Sequence, residues 1–352
     1  VAAVKLLVTR FSSMGDVALV APALRAVLAA HPEVEITLLT RALFTPFFTG
    51  MPRLKVVTAD LKGTHHGLKG LRRLYRELAP EGFDALVDLH NVTRSQVLGW
   101  FFRLGGVPVV RLDKGRGEKR AYIAGKTRQP LRHTVQRYLE TFAKYGLASE
   151  EVAGPYIQAS TAALAEADET LRGLGLGAAD QVIGIAPFAM HAQKMWPLEH
   201  TRELLSKLTA RPRLKVLLFG GGAEETEKLA ALAAEFPDTF SMAGQVGLEQ
   251  ELGLISRLQL MLSMDSSNMH LASLLGVPTF SIWGGTHPDL GFRAYGQDRA
   301  FEIQPTIELD CRPCSVYGAR PCRFGQPPRC LESIPATEVA ERLLAFLTSS
   351  SH

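Results

Sequence analysis

Two side chains in this sequence have the types and settings that a group transfer needs. Asp16 closes the run Arg10-Phe-Ser-Ser-Met-Gly-Asp16, where an apolar β-rich stretch gives way to a helical one. A carboxylate there could take a proton from an attacking hydroxyl within hydrogen-bond reach. It could equally do no more than cap the helix, where negative charge is favourable anyway. Lys194 lies in Phe188-Ala-Met-His-Ala-Gln-Lys194-Met-Trp-Pro-Leu-Glu199. An ammonium at a strand end can neutralise charge building on a departing diphosphate, although a lone loop lysine is more often simply solvated. Trp196-Pro197 would fix the start of the next helix.

Three further turns could hold a phosphorylated ligand. Met264-Asp-Ser-Ser-Asn-Met-His270 leads into a helix stopped by Gly276 and Pro278, so start and stop signals are both present. The first turn of such a helix offers backbone N–H groups and a positive dipole end, a ready place for a diphosphate. Asp265 or Ser266 as a plain N-cap is the plainer alternative. No GxxxxGK[ST] occurs, so ATP hydrolysis is not indicated. Phe219-Gly-Gly-Gly-Ala-Glu224-Glu225 resembles a dinucleotide turn only loosely; Glu224 could bond ribose hydroxyls. Trp283-Gly-Gly-Thr-His-Pro-Asp-Leu-Gly-Phe292 has glycines that would let a ligand approach the backbone, with Thr286 and His287 as polar contacts.

These residues must be positioned by something, and the chain alternates β-rich and helical stretches. Strands are expected at 5–10, 34–40, 54–59, 84–90 and 107–112, with helices at 17–30, 68–78, 94–104 and 138–145. The pattern then restarts. Strands are expected at 181–187, 214–219, 258–264 and 278–283, and helices at 198–210, 224–235 and 269–275. Continuous apolar strands separated by helices predict parallel sheets covered on both faces. The fold class is therefore α/β, with two Rossmann-like domains whose sheets face across a cleft, and ligands expected outside the carboxyl ends of the strands. The expected division is a first domain at 1–150, a linker region at 151–178, a second domain at 179–335, and a C-terminal helix and tail at 336–352, with 348–352 disordered.

The totals agree with such an enzyme. The 352 residues are 46% hydrophobic and 21% charged, enough for two cores. A formal net charge of +4 suits an acidic partner better than a basic one. No stretch approaches the ~20 apolar residues of a membrane span. The apolar start, 1–30, is interrupted by Arg10 and Asp16 and reads as a buried strand rather than a signal peptide, so a cytoplasmic protein is expected. Basic residues gather at Lys69, Arg72, Arg73 and Arg76, again at Lys114, Arg116, Lys119 and Arg120, and at Arg137 on the following helix. A solvated charged face would explain any one of them.

Four cysteines occur, all in the short stretch Cys311, Cys314, Cys322 and Cys330, so a disulfide framework for the whole chain is excluded. The spacing is compact enough for a tetrahedral structural zinc site. Free thiols or one or two local disulfides are the alternatives. No catalytic metal is implied.

Taken in order, Ser12-Ser-Met-Gly-Asp16, Lys194-Met-Trp-Pro197, Gly222-Ala-Glu224, Asp265 with His270, and Gly284-Gly-Thr-His-Pro288 resemble glycosyltransferase family nine, the lipopolysaccharide heptosyltransferases. The resemblance runs from about Val4 to Leu347. It implies the GT-B fold, with acceptor on the first domain and nucleotide sugar on the second, and inverting, metal-independent chemistry. Asp16 would be the general base and Lys194 would steady the leaving ADP. Donor contacts would come from Ser13, Gly15, Glu224, Val246, Asp265, Ser266, Ser267, His270, Thr286 and His287. Acceptor contacts would come from Lys69, Arg72, Arg73, Arg94, Arg116, Arg120 and Arg137, since such clusters suit the carboxylates and phosphates of a lipid A inner core. The implied donor is ADP-heptose and the implied acceptor an anionic lipid A/Kdo-type molecule. Contact would be peripheral, on the cytoplasmic face of the inner membrane, with no cofactor in catalysis and no nucleic acid as partner. The sequence departs from the family pattern at Ala189 and Met190, where threonines precede the lysine in some members, and at Ser266-Ser267, often Thr-Gly. A nucleotide-sugar epimerase of similar plan, a transferase using another ADP- or UDP-sugar, and a non-catalytic binding module are the competing readings. NAD chemistry is disfavoured because no G-x-G-x-x-G follows the first strand.

Overall fold

The computed structural model describes residues 3–349. Two compact units emerge: one comprises the chain through Arg116 together with Arg132–Gln158, and the other comprises Gly117–Leu131 together with the chain from Ala159 onward.

The first unit is built on β1 (Val4–Thr9), α1 (Met14–Ala18), α2 (Val20–Ala30), β2 (Val34–Thr40), β3 (Leu54–Thr58), α3 (Gly67–Leu78), β4 (Ala85–Asp88), α4 (Thr93–Leu104) and β5 (Val109–Arg111). Helix α5 (Arg116–Ile123) leads into the segment that belongs with the second unit, and α6 (Thr134–Ala143) returns to the first. The five strands form one parallel sheet in the order β3-β2-β1-β4-β5. Central β1 is buried from Leu6 to Thr9, as a strand covered on both faces must be. The expected single helix 17–30 is two. It starts earlier, at Met14, and breaks at Leu19, so that Pro22, which has no N–H to donate, falls in the first turn of α2.

The second unit continues with α7 (Thr161–Gly173), β6 (Gln181–Ala186), α8 (Leu198–Thr209), β7 (Leu214–Leu218), α9 (Ala223–Glu235), β8 (Thr239–Ser241), α10 (Leu248–Ile255), β9 (Met261–Met264), α11 (Ser267–Leu274), β10 (Thr279–Ile282), β11 (Glu302–Ile303), α12 (Arg329–Glu332) and α13 (Ala336–Ser349). Its six strands are all parallel, in the order β11-β10-β9-β6-β7-β8. The core gathers Ile183, Ile185, Leu204, Leu262, Phe280 and Leu343, among others, between this sheet and its helices.

Several expected bounds shift. The range 151–178, read as a linker, contains α7, which buries Ala163 and Ala167. The strand expected from Leu258 begins at Met261, because the Arg257 and Leu258 amides instead close the end of α10 on Leu254 and Ile255. Of the tail expected to be disordered, Thr348 and Ser349 are helical and close α13, and 350–352 lie outside the described residues. Helix α10 and the short strands β8 and β11 carry no pattern that distinguishes them in sequence.

Candidate active site

In the first unit, β1 delivers Arg10 and α1 delivers Asp16. Asp16 is the third residue of α1, and its Oδ2 accepts from the Ser13 hydroxyl at 2.8 Å and from the Ser13 amide at 3.4 Å. The capping reading of this residue therefore holds in part. The same oxygen also stands 2.7 Å from Arg10 Nη2, a charged pair that capping does not require. Arg10 is buried, and its other terminal nitrogen donates to the Leu89 carbonyl at 2.7 Å. The Tyr138 hydroxyl donates to the Asp16 backbone carbonyl at 3.0 Å, which ties α1 to α6.

Around this pair lie groups whose charge the site controls. Burial, with Arg10 and Lys114 nearby, pushes the His90 imidazole down to about 3, so it is neutral at ordinary pH; its Nε2 lies 3.4 Å from Ser12 Oγ. Burial, with Arg10 and Arg116 adding repulsion, holds the Lys114 ammonium below the usual lysine range. Buried Asp88 collects the Ser95 and Thr9 hydroxyls and the His90 and Asn91 amides, which fixes the loop after β4.

In the second unit the turn after β9 and the one-turn helix Ala192–Lys194 come together. Lys194 Nζ lies 2.9 Å from Asp265 Oδ2, and both side chains are nearly buried. The Thr286 hydroxyl donates to the same oxygen at 2.8 Å. The N-cap position of α11 belongs to Ser266, whose hydroxyl lies 3.1 Å from Ser263 Oγ. Asp265 is thus committed to the lysine and threonine rather than to capping. Asn268 donates to Glu251 at 2.9 Å, and burial raises that carboxyl to about 7. His270 is buried on α11.

Residues 71–317 match the model of the family described as Glycosyltransferase family 9 (heptosyltransferase). The chain belongs to glycosyltransferase family 9. It is 24% identical over 294 residues to the lipopolysaccharide core heptosyltransferase OpsX of Haemophilus influenzae, covering 80% of each chain. Among solved structures it resembles a family 9 glycosyltransferase from Veillonella parvula, with a TM-score of 0.79 at 20% identity over 99% of this chain and 98% of that one. It also resembles the E. coli heptosyltransferase WaaC with ADP, with a TM-score of 0.67 at 21% identity over 97% and 99%. The two parallel-sheet domains are those of the GT-B fold.

The remaining expected residues of this family 9 glycosyltransferase fall in different settings. Gly15 is buried in α1, and Val246 lies half-buried in the loop before α10. Glu224 is exposed at the head of α9 and pairs with Lys228 at 2.6 Å, which lowers its carboxyl. The glycines of Gly284-Gly-Thr-His-Pro288 serve the protein's own packing. A Cβ on Gly284 would stand 2.5 Å from Leu331 and 2.7 Å from the Gln193 carbonyl. His287 is held within its own unit: its Nδ1 accepts from the Asp289 amide and lies 3.2 Å from the Tyr122 hydroxyl. Burial and Arg312 push it down to about 4.

Of the basic residues, Lys69, Arg72, Arg73, Arg76, Arg94, Arg116 and Arg120 are exposed. Arg137 and Lys119 are not, so the alternative of a solvated charged face does not apply to these two. Arg137 is buried, with its guanidinium where a Cβ on Gly115 would be. Lys119 is buried with its ammonium 4.2 Å from the Phe292 ring centroid, a cation–π seat.

The four cysteines are free thiols, and Cys330 is buried in α12. Burial raises the Cys314 thiol, which is hydrogen-bonded to Cys311, and pushes Cys330 up to about 11. Among the described residues no three His, Cys, Asp or Glu side chains are arranged to hold a metal ion. The alternative of local disulfides is not realised, since all four thiols are free, and the tetrahedral sulfur cage is not drawn together. The loop carrying these thiols instead backs the site: Cys314 N–H donates to the Gly285 carbonyl and Arg312 Nε to the Gly284 carbonyl, both at 2.8 Å. Gly318 lies against the Lys194 stem.

From sequence no role followed for Arg10, His90, Tyr122, Glu251 or Arg312, and Lys114 stood only as one member of a basic cluster. Only Arg10 carried a signal, a cation at the end of the strand that leads to Asp16. The others come from elements far apart in sequence.

Proposed function

We propose that this family 9 enzyme moves a heptose from ADP-heptose onto the Kdo- or heptose-bearing inner core of lipopolysaccharide, inverting the anomeric centre without a metal. The observation that carries the reading is the Lys194–Asp265–Thr286 cluster at the head of α11, a cation beside a helix N-terminus, suited to a diphosphate. The names of the relatives as heptosyltransferases support the sugar.

In this mechanism Asp16 accepts the proton of the acceptor hydroxyl, and the freed oxygen attacks the anomeric carbon. The bond from that carbon to the diphosphate breaks, and ADP leaves with the bonding electrons. Lys194 and the amides at Ser266, Ser267 and Asn268 take up the charge that develops on the diphosphate. Attack opposite the leaving group inverts the centre. Arg10 keeps the Asp16 carboxylate aimed and balanced in charge. Ser13, Gly15, Glu224, Val246, His270, Thr286 and His287 complete the donor contacts. Lys69, Arg72, Arg73, Arg94, Arg116 and Arg120 face the acceptor's phosphates and carboxylates; Arg137, being buried, is left out. The acceptor is held mainly by the first unit and the donor mainly by the second, at the cytoplasmic face of the inner membrane.

Mass spectrometry of products from a panel of ADP- and UDP-sugars with a Kdo-bearing acceptor tests the reading. ADP release together with an acceptor heavier by one heptose supports it. Donor turnover without acceptor would instead identify an epimerase. Asp16→Asn should lower transfer at least 100-fold while leaving ADP binding intact; an unchanged rate removes the assigned base.

A structural role for zinc at Cys311, Cys314, Cys322 and Cys330 belongs to the same proposal, and it requires the thiols to draw together. Elemental analysis of purified protein decides it: one zinc per chain, lost in Cys311→Ser with Cys314→Ser, supports the site, and metal-free protein of full stability rejects it.

A further inference from the structure

Helices α3 and α4 of the first unit share an outer surface that neither the sheet nor the hydrogen-bond network explains. Leu68 is 65% exposed, Trp100 53% and Leu104 67%. On α3, Leu68 lies seven residues before Tyr75, on the same stripe. Tyr75 stacks on Phe101 of α4 with centroids 5.9 Å apart, and Phe101 in turn touches Trp100 at 5.3 Å. Leu104 is one helical turn beyond Trp100. The apolar side chains therefore form a band running from one helix to the other rather than isolated points.

The charge around this band has one sign. The two helices carry Lys69, Arg72, Arg73, Arg76, Arg94 and Arg103 against a single carboxylate, Glu77. That carboxylate is already engaged by Arg73 at 2.8 Å and faces His65 at 3.0 Å. Six cations against one anion on two helices exceed the net charge of +4 for the whole chain. A contiguous exposed apolar band, unlike a single exposed side chain, marks an interaction surface, and this one lies in a basic field. A bilayer rewards that combination: tryptophan sits at the headgroup level, leucine reaches the acyl boundary, and arginine and lysine stems lie along the apolar surface with their charges on lipid phosphates.

We propose that the outer faces of α3 and α4 are a docking surface for an anionic lipid bilayer, seated by Leu68, Trp100 and Leu104 and drawn in by Lys69, Arg72, Arg76 and Arg103. This rests on the reading of the acceptor as lipid-linked, and it adds the surface by which the enzyme reaches it. The basic residues of α3 then meet the lipid phosphates of the membrane plane as well as the charges of the acceptor anchored in it.

The sequence supplies its own probe, because Trp100 is exposed while the other two tryptophans, Trp196 and Trp283, are 4% and 1% exposed. The full chain, without donor or acceptor, is mixed with vesicles of phosphatidylethanolamine and phosphatidylglycerol or of phosphatidylcholine alone, and binding is followed by co-sedimentation and tryptophan emission. Binding to the anionic vesicles only, with emission moving to shorter wavelength, is expected. Lys69→Gln with Arg72→Gln should weaken binding on the order of 25-fold, about fivefold per charge. Leu68→Ser with Leu104→Ser should weaken it roughly tenfold and leave transfer to a delipidated, water-soluble acceptor unchanged. Equal binding to both vesicles, or an unmoved emission maximum, overturns the proposal. So does self-association of the protein alone that the leucine variant abolishes, because the band would then be covered by a second copy. Vesicle binding needs no turnover, so its failure is separate from a failure of the transferase reading.

Discussion

Lys194 Nζ and Thr286 Oγ1 converge on one oxygen of Asp265, at 2.9 and 2.8 Å, joining three loops of the second unit through a single carboxylate. Breaking a nearly buried pair by removing one partner leaves the other charge uncompensated, at a cost of about 3 kcal/mol or more. Lys194→Met and Asp265→Asn should each lower the denaturant midpoint and weaken ADP binding. The double variant should lose less stability than the two losses added. Urea unfolding and titration calorimetry of the three variants check this; strict additivity would show that the two residues act independently.

The backbone at Gly318 presses on the same lysine. Gly318 has φ +79°, and a Cβ there would stand 2.9 Å from Lys194 Cγ. Gly325 has φ +89° and no atom within 4 Å of such a Cβ. Both Gly→Ala changes carry the left-handed strain of about 1–2 kcal/mol, but only Gly318→Ala must also shift the Lys194 stem. The expected outcome is similar thermal destabilisation in both variants, with a fall in kcat/KM of roughly tenfold or more confined to Gly318→Ala.

Glu251 makes stability depend on pH between about 4.5 and 7. Burial raises its carboxyl from 4.5 to about 7, so between those values the native state holds a proton that the unfolded chain has released. Stability therefore falls as pH rises through this window and levels off above it. Glu251→Gln keeps an acceptor for Asn268 and removes the titration. At pH 8 it should be more stable than the parent by up to about 3 kcal/mol, and at pH 4.5 the two should agree. Melting curves from pH 4.5 to 9 measure the difference.

His90 acts in the opposite sense. Its folded value of about 3 lies below the ordinary 6.5, so the unfolded chain binds the extra proton first, and stability is lost as pH falls from 6.5 toward 3. Between pH 6.5 and 5 the parent should lose about 2 kcal/mol from this residue, a loss absent in His90→Gln. His287, held at about 4, contributes a second loss of the same sign that the variant retains. Urea midpoints at pH 7 and 5 separate the two.

Much of the architecture was legible because it is local. Continuous apolar runs such as Val34–Thr40, matched residue for residue by β2, reflect strands buried on both faces, and Gly276 with Pro278 marks the end of α11 within two residues. Asp16 and Lys194 were legible by residue type at βα turns. The two-part first helix, α7 within the expected linker and the late start of β9 were not, since each depends on which amide finds which carbonyl after packing.

By itself the sequence determined two parallel α/β domains, a carboxylate after the first strand, and a lysine and an aspartate at strand ends of the second half. Only the tertiary structure decided that Arg10 pairs with Asp16, that Asp265 holds Lys194 instead of capping a helix, that the paired glycines after β10 make room for Gln193 and Leu331, and that Arg137 and Lys119 are buried. The reason is physical. Hydrophobic periodicity is written along the chain and survives without folding, whereas the partner of a charge is whichever group the turns and crossovers of a parallel sheet bring within about 3 Å, near or far in sequence.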